Sequence, residues 1–400
     1  MHTEKALAIT AFAALLLSAC SPPSPEVSDP EGVTQAAPGV SDPEGGTQPT
    51  PEVSNPEVEI QPTPSEAPTS VTFPLSVPGP YHAGNRVYTI EDKARGGRRI
   101  SLTIWYPALE NTDSAGRSIV RDASPDMSGA PYPLILTGSH SGDFLFQSHL
   151  ASHGFVMAIV RYPDPIQLYW GFEMIDHPLD MLLSLDWIAS NPPQGLEGMV
   201  DAQNTGVTGY SSDGSYSLAL GGARIDPEFY LMRCGEGAVT VPVFSEQWCG
   251  LASNWQEFAS HAGQDITAPE DGLWQPLSDE RIRAVMPMAP NGAWLYGEQG
   301  LAAVDKPVLL INGTEDELVP YDLEATYIYE HLGMAPKTLI SFVGKQHMMV
   351  MDAEPAAQLR HFAVAYFGYY LQGHEEYADL FSEDFISRFS DLAWGVYPGD

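Results

Sequence analysis

Hydrophobic and polar residues follow two patterns along the chain beyond residue 80. Residues 86–90 and 100–107 alternate apolar with polar positions around the turn-forming residues 95–98, which predicts a β-hairpin. Short, nearly continuous apolar runs predict strands that helices cover on both faces; these runs are residues 132–137, 155–160, 282–288, 307–311 and 338–343. Helical stretches such as 144–152 and 178–190 lie between or after them. This alternation predicts an α/β fold with a mostly parallel, doubly wound sheet, whose functional groups lie at the carboxyl ends of strands.

The first 20 residues have the pattern of an export signal. A short polar start precedes the apolar run 6–17, which is too short to span a bilayer as a stable helix. The run ends in Leu-Ser-Ala-Cys at Cys20, and this ending resembles a bacterial lipobox, in which the cysteine is lipidated. We therefore expect residues 1–20 to be a lipoprotein signal peptide, with a plain secretory signal as the alternative. By resemblance to Gram-negative lipoproteins, Ser21 favours the outer membrane of the cell envelope.

Residues 21–70 are rich in Pro, Glu, Thr, Ser and Gly and contain almost no aromatic residues. Such a segment buries too little apolar surface to offset the entropy lost on ordering. A Ser-Asp/Asn-Pro-Glu motif recurs every 13 residues, beginning at residues 28, 41 and 54. We interpret this linker as a disordered, extended and acidic tether that holds the folded part away from a membrane.

Residues 71–400 are long enough for one large α/β domain with a single core. The whole chain has 52 acidic and 18 basic residues and a formal charge of −34, most of which falls in this domain. This balance argues against nucleic acid and against an anionic lipid face as partners, because phosphates would be repelled. Solubility and adaptation to a salty environment both explain the acidity, and neither defines a substrate.

A tight turn with a candidate nucleophile lies within residues 206–214. In a G-x-S-x-G elbow, a strand-to-helix turn exposes the serine hydroxyl, and small flanking residues let the strand and helix backbones approach closely. Gly209 and Ser211 fit this pattern, but Asp213 stands where the second glycine belongs. A frame centred on Ser212 would use the glycine at position 214 and lose Gly209. We favour Ser211 as the nucleophile.

The other two members of a catalytic triad follow in the order Ser, Asp, His that is typical of α/β-hydrolases. Asp316 comes shortly after the apolar run 307–311, and His347 lies 31 residues later in a loop after the next run. His347 would accept the serine proton and return it to the leaving alcohol, while Asp316 would orient the imidazole. The neighbouring carboxylates Glu315 and Glu317 compete with Asp316 for this role.

A tetrahedral intermediate also needs donors for its developing oxyanion. We expect one from the backbone N–H of Ser212 and the other from the loop after the 132–137 run, with the Ser141 backbone as donor and His140 holding the loop. Tyr210, beside the serine, and Trp294 are candidates for the substrate pocket.

The segment of about 224–279 interrupts the alternation of strands and helices. Its position after the nucleophile helix predicts a lid-like insertion that shapes an apolar pocket, or else its tryptophans pack only a small core of their own. It also holds Cys234 and Cys249, which we expect to form a disulfide in an exported protein. A metal site would need more His or Cys nearby, so none is expected here.

Several of these segments together resemble a known family. They are Trp105-Tyr106-Pro107-Ala108, Ser139-His140, Leu150-Ala151-Ser152-His153-Gly154, the elbow, Met286-Pro287-Met288-Ala289-Pro290 and the turns at Asp316 and His347. The chain resembles the predicted dienelactone hydrolase group, related to platelet-activating-factor acetylhydrolases and bacterial polyester hydrolases, from residue 71 to about 373. The resemblance implies an α/β-hydrolase fold and esterase or lipase-like activity without a cofactor.

The chain departs from this group at two positions near the candidate nucleophile. Asp213 replaces the second elbow glycine, and Ser141 stands where the family usually has glycine. A true dienelactone hydrolase also uses a cysteine nucleophile, and neither Cys234 nor Cys249 lies on an elbow, so that substrate is not implied.

Our leading hypothesis is a serine hydrolase that cleaves carboxylic esters, small or polymeric, through an acyl-enzyme. The alternatives are a catalytically inactive, hydrolase-like lipoprotein that binds a ligand, which Asp213 motivates, and a peptidase with the same triad. The ester itself and the oligomeric state do not follow from the sequence.

Overall fold

The strands of the protein form one mixed sheet in a computed structural model that describes residues 72–109, 119–139, 146–164, 170–235, 248–268 and 271–399. In chain order the strands are β1 (His82–Asp92), β2 (Arg98–Ala108), β3 (Ile119–Arg121), β4 (Tyr132–Gly138), β5 (Val156–Arg161), β6 (Val200–Tyr210), β7 (Ile282–Met288), β8 (Val308–Gly313), β9 (Lys337–Phe342) and β10 (Leu392–Trp394). The leader with Cys20, the tether, His140 and Ser141 lie outside the described residues.

The α-helices of the described chain alternate with these strands. They are α1 (Gln147–Ser152), α2 (Glu173–Ser190), α3 (Ser212–Leu220), α4 (Pro227–Cys234), α5 (Trp255–Ala262), α6 (Gln264–Thr267), α7 (Ala293–Ala302), α8 (Tyr327–His331), α9 (Ala353–Phe367) and α10 (Glu383–Ile386). Within the described ranges, no helix has the length and apolar character needed to cross a membrane.

The spatial order of the strands is β10-β9-β8-β7-β6-β4-β5-β2-β1-β3. The central strands β5, β4, β6, β7, β8 and β9 pair in parallel, which confirms the predicted α/β class and its mostly parallel sheet. The antiparallel β1–β2 hairpin, with Ile90 opposite Ile100, confirms the predicted hairpin. After β5 the chain returns across β4 to form β6, so the order of the strands reverses between β4 and β6.

Alternate residues of the central strands enter two separate cores. Leu134 and Leu136 of β4 pack with Leu185 of α2 on one face, whereas Ile135 packs with Phe362 of α9 on the other face. All five side chains are fully excluded from solvent. Successive strand residues point to opposite faces, so the sheet forms the middle of three layers, and each fully buried side chain contributes about 1.5–3 kcal/mol.

The predicted strands agree with the structure to within a few residues, whereas the predicted helix 178–190 is longer. It begins at Glu173, so that Pro178 lies inside the helix rather than at its start. The buried side chains of Met174 and Ile175 explain this extension, because packing of the first turn outweighs the backbone hydrogen bond that proline removes.

Three histidines fix the segment that leads into the domain. The His149 Nε2–H donates to the Leu75 carbonyl at 2.8 Å, and the Leu75 N–H donates to His361 Nδ1 at 3.2 Å. His153 Nε2 lies 2.9 Å from the Val77 carbonyl oxygen. The pKa values of His149 and His361 are both lowered to about 4, mainly by burial, and the neighbouring His153 contributes to the shift at His149. Both rings are therefore held neutral at neutral pH.

We predict that acid weakens this attachment. The unfolded chain binds these protons near the usual pKa of 6.5 and the folded chain only near 4, so the unfolding free energy is highest above pH 6.5 and falls towards pH 4. Each histidine contributes about 1.4 kcal/mol per pH unit in this window. Urea unfolding of His149→Gln should give a flatter pH profile than the parent. A control at His374, whose side chain is 45% exposed, is His374→Gln and should follow the parent. Parallel profiles for all three proteins would contradict the prediction.

Candidate active site

Ser211 lies in the sharp turn between β6 and α3, beside the point where the strand order reverses. Its backbone has φ 59° and ψ −123°, a left-handed conformation that non-glycine residues rarely adopt. The Ser211 N–H donates to the Met288 carbonyl at the end of β7 (2.9 Å), and the Ser211 carbonyl accepts from Gly214 N at 2.9 Å. These bonds hold the turn in its strained conformation at the edge where sheets of this kind bind ligands.

Ser211, His347 and Asp316 are brought together as one chain of hydrogen bonds. The His347 Nδ1–H donates to Asp316 Oδ2 at 2.8 Å, and His347 Nε2 lies 3.2 Å from Ser211 Oγ. Asp316 Oδ1 accepts the backbone N–H groups of Leu318 (3.0 Å) and Val319 (2.7 Å). The buried carboxylate therefore has three donors, and because Nδ1 carries the proton in its bond to Asp316, Nε2 is the ring nitrogen with an acceptor lone pair on the side of Ser211.

The three residues follow strands β6, β8 and β9, whose carboxyl ends lie along one edge of the sheet. Backbone hydrogen bonds join the loops that follow β8 and β9. The Thr314 N–H donates to the Phe342 carbonyl at 3.0 Å, and the Glu315 N–H donates to the Lys345 carbonyl at 3.0 Å. A Cβ on Gly313 would lie 2.3 Å from the Lys345 oxygen, so only glycine allows this approach.

The competing carboxylates have other positions. Glu315 is exposed, and Glu317 accepts the backbone N–H of His347 at 3.1 Å through Oε2, so it holds the loop rather than the imidazole. Asp316 is the carboxylate on His347 Nδ1. Likewise Ser211 is the serine whose Oγ lies 3.2 Å from His347 Nε2.

The backbone N–H of Ser212 lies at the first residue of α3, where helix amides have no partner within the helix. This position suits the predicted oxyanion donor, since the N-terminal end of a helix favours negative charge. The second predicted donor, Ser141, lies outside the described residues, as does His140, so both remain predictions.

Helix α3 lies very close to the ends of β6 and β7, and two glycines make room for it. Their spacing differs by one residue from that of the G-x-S-x-G pattern. A Cβ on Gly209 would lie 2.3 Å from the Asp213 carbonyl oxygen, and a Cβ on Gly214 would lie 2.7 Å from the Met288 carbonyl oxygen. The helix thus passes against β6 at Gly209 and against β7 at Gly214. The Asp213 side chain is directed towards Gly138 at the end of β4 and is fully buried.

Tyr210 supports the histidine loop. Its hydroxyl donates to the His347 carbonyl, and the centroids of the two rings are 5.3 Å apart. Burial, followed by the nearby charges of Asp316 and Glu317, raises the pKa of Tyr210 well above its usual value, so the phenol remains a donor. Only 6% of Tyr210 is exposed, and its predicted contact with substrate remains a prediction.

The tryptophans of the 224–279 segment pack against one another and their neighbours. Trp255 and Trp274 have ring centroids 5.3 Å apart, and Trp248 packs edge-on against Trp294 at 5.1 Å. The Arg233 guanidinium lies over the Trp294 ring, 5.1 Å from its centroid, and Trp294 is 2% exposed. These rings are packed and buried, and both the lid-like role of the segment and the pocket role of Trp294 remain predictions.

Cys234 and Cys249 are bonded in the structure, with Cα atoms 5.1 Å apart. The bond joins the end of α4 to the residue after Trp248, and the Tyr230 hydroxyl donates to the Trp248 carbonyl at 2.9 Å. Among the described residues, no cluster of three His, Cys, Asp or Glu has the arrangement of a metal site.

Glu324 is a second buried carboxyl group near the triad that the sequence analysis missed. It lies in the π-helical turn Asp322–Thr326, is fully buried, and accepts the Ala293 N–H at 2.8 Å through Oε2. Its Oε1 has no hydrogen-bond partner among the described residues. Burial, and to a smaller extent the charge of Asp316, raises the pKa of Glu324 well above its usual value. The group is therefore a neutral acid that holds the start of α7.

We predict that Glu324→Gln makes the protein less sensitive to alkaline pH. The folded chain holds this proton more tightly than the unfolded chain, so the parent loses stability as pH rises above the usual pKa of 4.5. Glutamine keeps the shape and the acceptor without the titration, so the unfolding free energies of variant and parent should diverge in favour of the variant between pH 5 and pH 9. The exposed Glu330→Gln is the control; an unchanged slope in Glu324→Gln would show that the carboxyl is ionised in the folded protein.

No protein-family model matches the chain, and no curated protein matches it significantly. The geometry of the site is therefore the basis for assigning a function.

Proposed function

We propose that the protein is a serine hydrolase of the α/β-hydrolase fold that cleaves carboxylic esters through an acyl-enzyme. The observation that carries this proposal is the hydrogen-bonded chain from Ser211 through His347 to Asp316. The strained elbow at Ser211 and the reversal of strand order between β4 and β6 support it, because both are features of α/β sheets that present a nucleophile at a strand end.

In this reaction, the Ser211 hydroxyl attacks the ester carbonyl carbon while His347 Nε2 accepts its proton. The backbone N–H of Ser212 donates to the resulting oxyanion. His347 then returns the proton to the leaving alcohol, and an acyl group remains on Ser211. A water molecule, deprotonated by His347, then attacks the acyl carbonyl. The bond from the acyl carbon to Ser211 Oγ breaks, His347 returns the proton to that oxygen, and the acid is released. Asp316 keeps the imidazole in one tautomer and stabilises its charged form.

The alternative of an inactive binding protein rests on Asp213, which was expected to spoil the elbow. The contacts of Gly209 and Gly214 weaken that objection, since the helix reaches both β6 and β7 with Asp213 in place. We therefore favour catalysis over binding alone.

A fluorophosphonate probe tests the proposal directly. We expect the folded parent to be labelled, peptide mapping to find the adduct on Ser211 and not on Ser212, and Ser211→Ala to lose labelling and at least about 10³-fold in kcat/KM on p-nitrophenyl esters. Ser253→Ala, at an exposed serine of the 224–279 segment, is the matched control and should react like the parent. Absence of labelling in the folded parent would favour the binding protein, and faster turnover of p-nitroanilides than of esters would favour a peptidase.

We also propose that the domain is exported and anchored to the cell envelope by a lipid on Cys20. This proposal rests on the leader pattern alone. Incorporation of a labelled fatty acid into the parent but not into Cys20→Ala is the expected result, and equal incorporation would contradict it.

A further inference from the structure

The last residues of the chain lie beside the strand that leads to the candidate catalytic histidine. β10 pairs antiparallel with β9 at the edge of the sheet, on the side away from β8. The Gly395 N–H extends this pairing by donating to the Leu339 carbonyl at 2.8 Å. Residues 392–397, which we call the C-terminal strap, are thus fixed against β9.

Two hydroxyl groups join this strap to the loop that carries Asp316. Tyr321 Oη lies 2.6 Å from Ser341 Oγ, and the Ser341 hydroxyl donates to the Gly395 carbonyl at 2.9 Å. A carbonyl oxygen only accepts, so the serine proton is used there and the tyrosine hydroxyl is the donor to Ser341. The Tyr397 N–H in turn donates to Tyr321 Oη at 2.8 Å. The four groups form one continuous chain of hydrogen bonds.

This chain of hydrogen bonds is buried and attached to a rigid part of the fold. Ser341 is fully excluded from solvent, and Tyr321 is 6% exposed. Ser341 lies near the end of β9, where it pairs with Asn312 of β8. Water cannot easily replace a lost partner at such a site, and a buried polar group without a partner is costly. The Tyr321 hydroxyl is therefore a fixed anchor for its loop.

The same loop determines how Asp316 is held. Asp316 Oδ1 accepts the backbone N–H groups of Leu318 and Val319. Pro320 and Tyr321 follow directly, and the proline ring fixes its own φ angle, so little freedom separates these two amides from the tyrosine anchor. The position of the anchor thus sets the direction of both N–H groups. They in turn orient the carboxylate, whose other oxygen accepts the imidazole N–H.

We propose that Tyr321 is a positioning residue for Asp316, and that the C-terminal strap holds it in place through Ser341 and the Tyr397 N–H. The inference rests on the proposed hydrolase function and deepens it. Tyr321 acts through the backbone between positions 316 and 321 rather than on the reacting atoms. The end of the chain thereby supports the candidate triad.

Two variants test the anchor by removing one hydroxyl each. Tyr321→Phe removes the donor to Ser341, and Ser341→Ala removes the acceptor. Each should lower the rate of fluorophosphonate labelling and kcat on p-nitrophenyl esters by about 3- to 10-fold, with KM within about twofold, because a misoriented carboxylate affects the chemical step. Tyr329→Phe, in α8, is the matched control; its ring contacts the Lys337 ammonium, and the variant should react like the parent.

A double-mutant cycle separates positioning from a general loss of structure. Asp316→Asn should itself be slower by about 10³- to 10⁴-fold. If Tyr321 acts through this carboxylate, adding Tyr321→Phe to Asp316→Asn should change the labelling rate by less than about twofold. Two effects that multiply would show that the tyrosine acts elsewhere, and would overturn the inference.

A further readout does not depend on turnover. The proton on His347 Nδ1 gives a separate downfield NMR signal when it is hydrogen-bonded to a carboxylate. This signal should shift or broaden in Tyr321→Phe and stay in place in Tyr329→Phe, and an unchanged signal in both contradicts the inference. If the single variants fail to fold, a chain that ends at Trp394 replaces them, because it removes the strap's partners and keeps both hydroxyls; the same 3- to 10-fold loss, to within about twofold, is then expected.

The outcomes distinguish this inference from the proposed function. A parent that is labelled on Ser211, with Tyr321→Phe and Ser341→Ala equally fast, overturns the positioning role and leaves the hydrolase standing. A folded parent that is not labelled overturns both. Slow labelling of Tyr321→Phe that disappears as a separate effect in the Asp316→Asn background supports the inference.

Discussion

The close packing of α3 against the ends of β6 and β7 is the constraint on which the candidate site depends. The helix reaches the Met288 carbonyl through the Ser211 N–H at 2.9 Å, and positions 209 and 214 have no room for a Cβ. The chain makes this approach only because Ser211 adopts a positive φ. The same turn places the hydroxyl at the sheet edge and directs the helix N-terminus towards it, so one steric requirement positions both the candidate nucleophile and part of its electrostatic surroundings.

Buried polar groups around this turn have very different hydrogen-bond partners, and these differences define their roles. Asp316 accepts three hydrogen bonds, one of them from His347, as an ionised carboxylate requires in a buried position. Glu324 accepts one bond from a backbone amide, and burial raises its pKa well above the usual value. One carboxyl group is thus equipped to stabilise an imidazolium, while the other serves as a neutral structural acid.

Most of the central strands, the hairpin and the three residues of the hydrogen-bonded chain were predictable because each has a local signature, whereas the short edge strands β3 and β10 were not predicted. Apolar runs mark five of the covered strands, and Asp316 and His347 each follow such a run. Ser211 was instead predicted from the small residues of its turn, and the three residues follow in the order that α/β-hydrolases use. The extension of α2 to Glu173 was not predictable, since it depends on packing of Met174 and Ile175 against distant strands. Glu324 was missed for the same reason, because its partner is the backbone of Ala293, 31 residues away.

At Asp213 the chain departs from the sequence motif but still satisfies the steric requirement that the motif describes. The G-x-S-x-G pattern expresses a need for close backbone approach, and here Gly209 and Gly214 meet that need although the spacing differs by one residue. The displaced side chain is accommodated by a glycine elsewhere, at the end of β4, where Gly138 leaves space for the carboxyl group. The larger Asp213 stands where the motif has a glycine, and a glycine, Gly138, stands opposite it at the end of β4. The departure from the local pattern is thus compensated by a residue far away in the sequence. A position-by-position comparison with the motif shows that Asp213 replaces a glycine, but it does not show that Gly138 leaves space for the Asp213 side chain. Asp213 therefore appears unfavourable in the sequence, although it is packed and hydrogen-bonded in the fold.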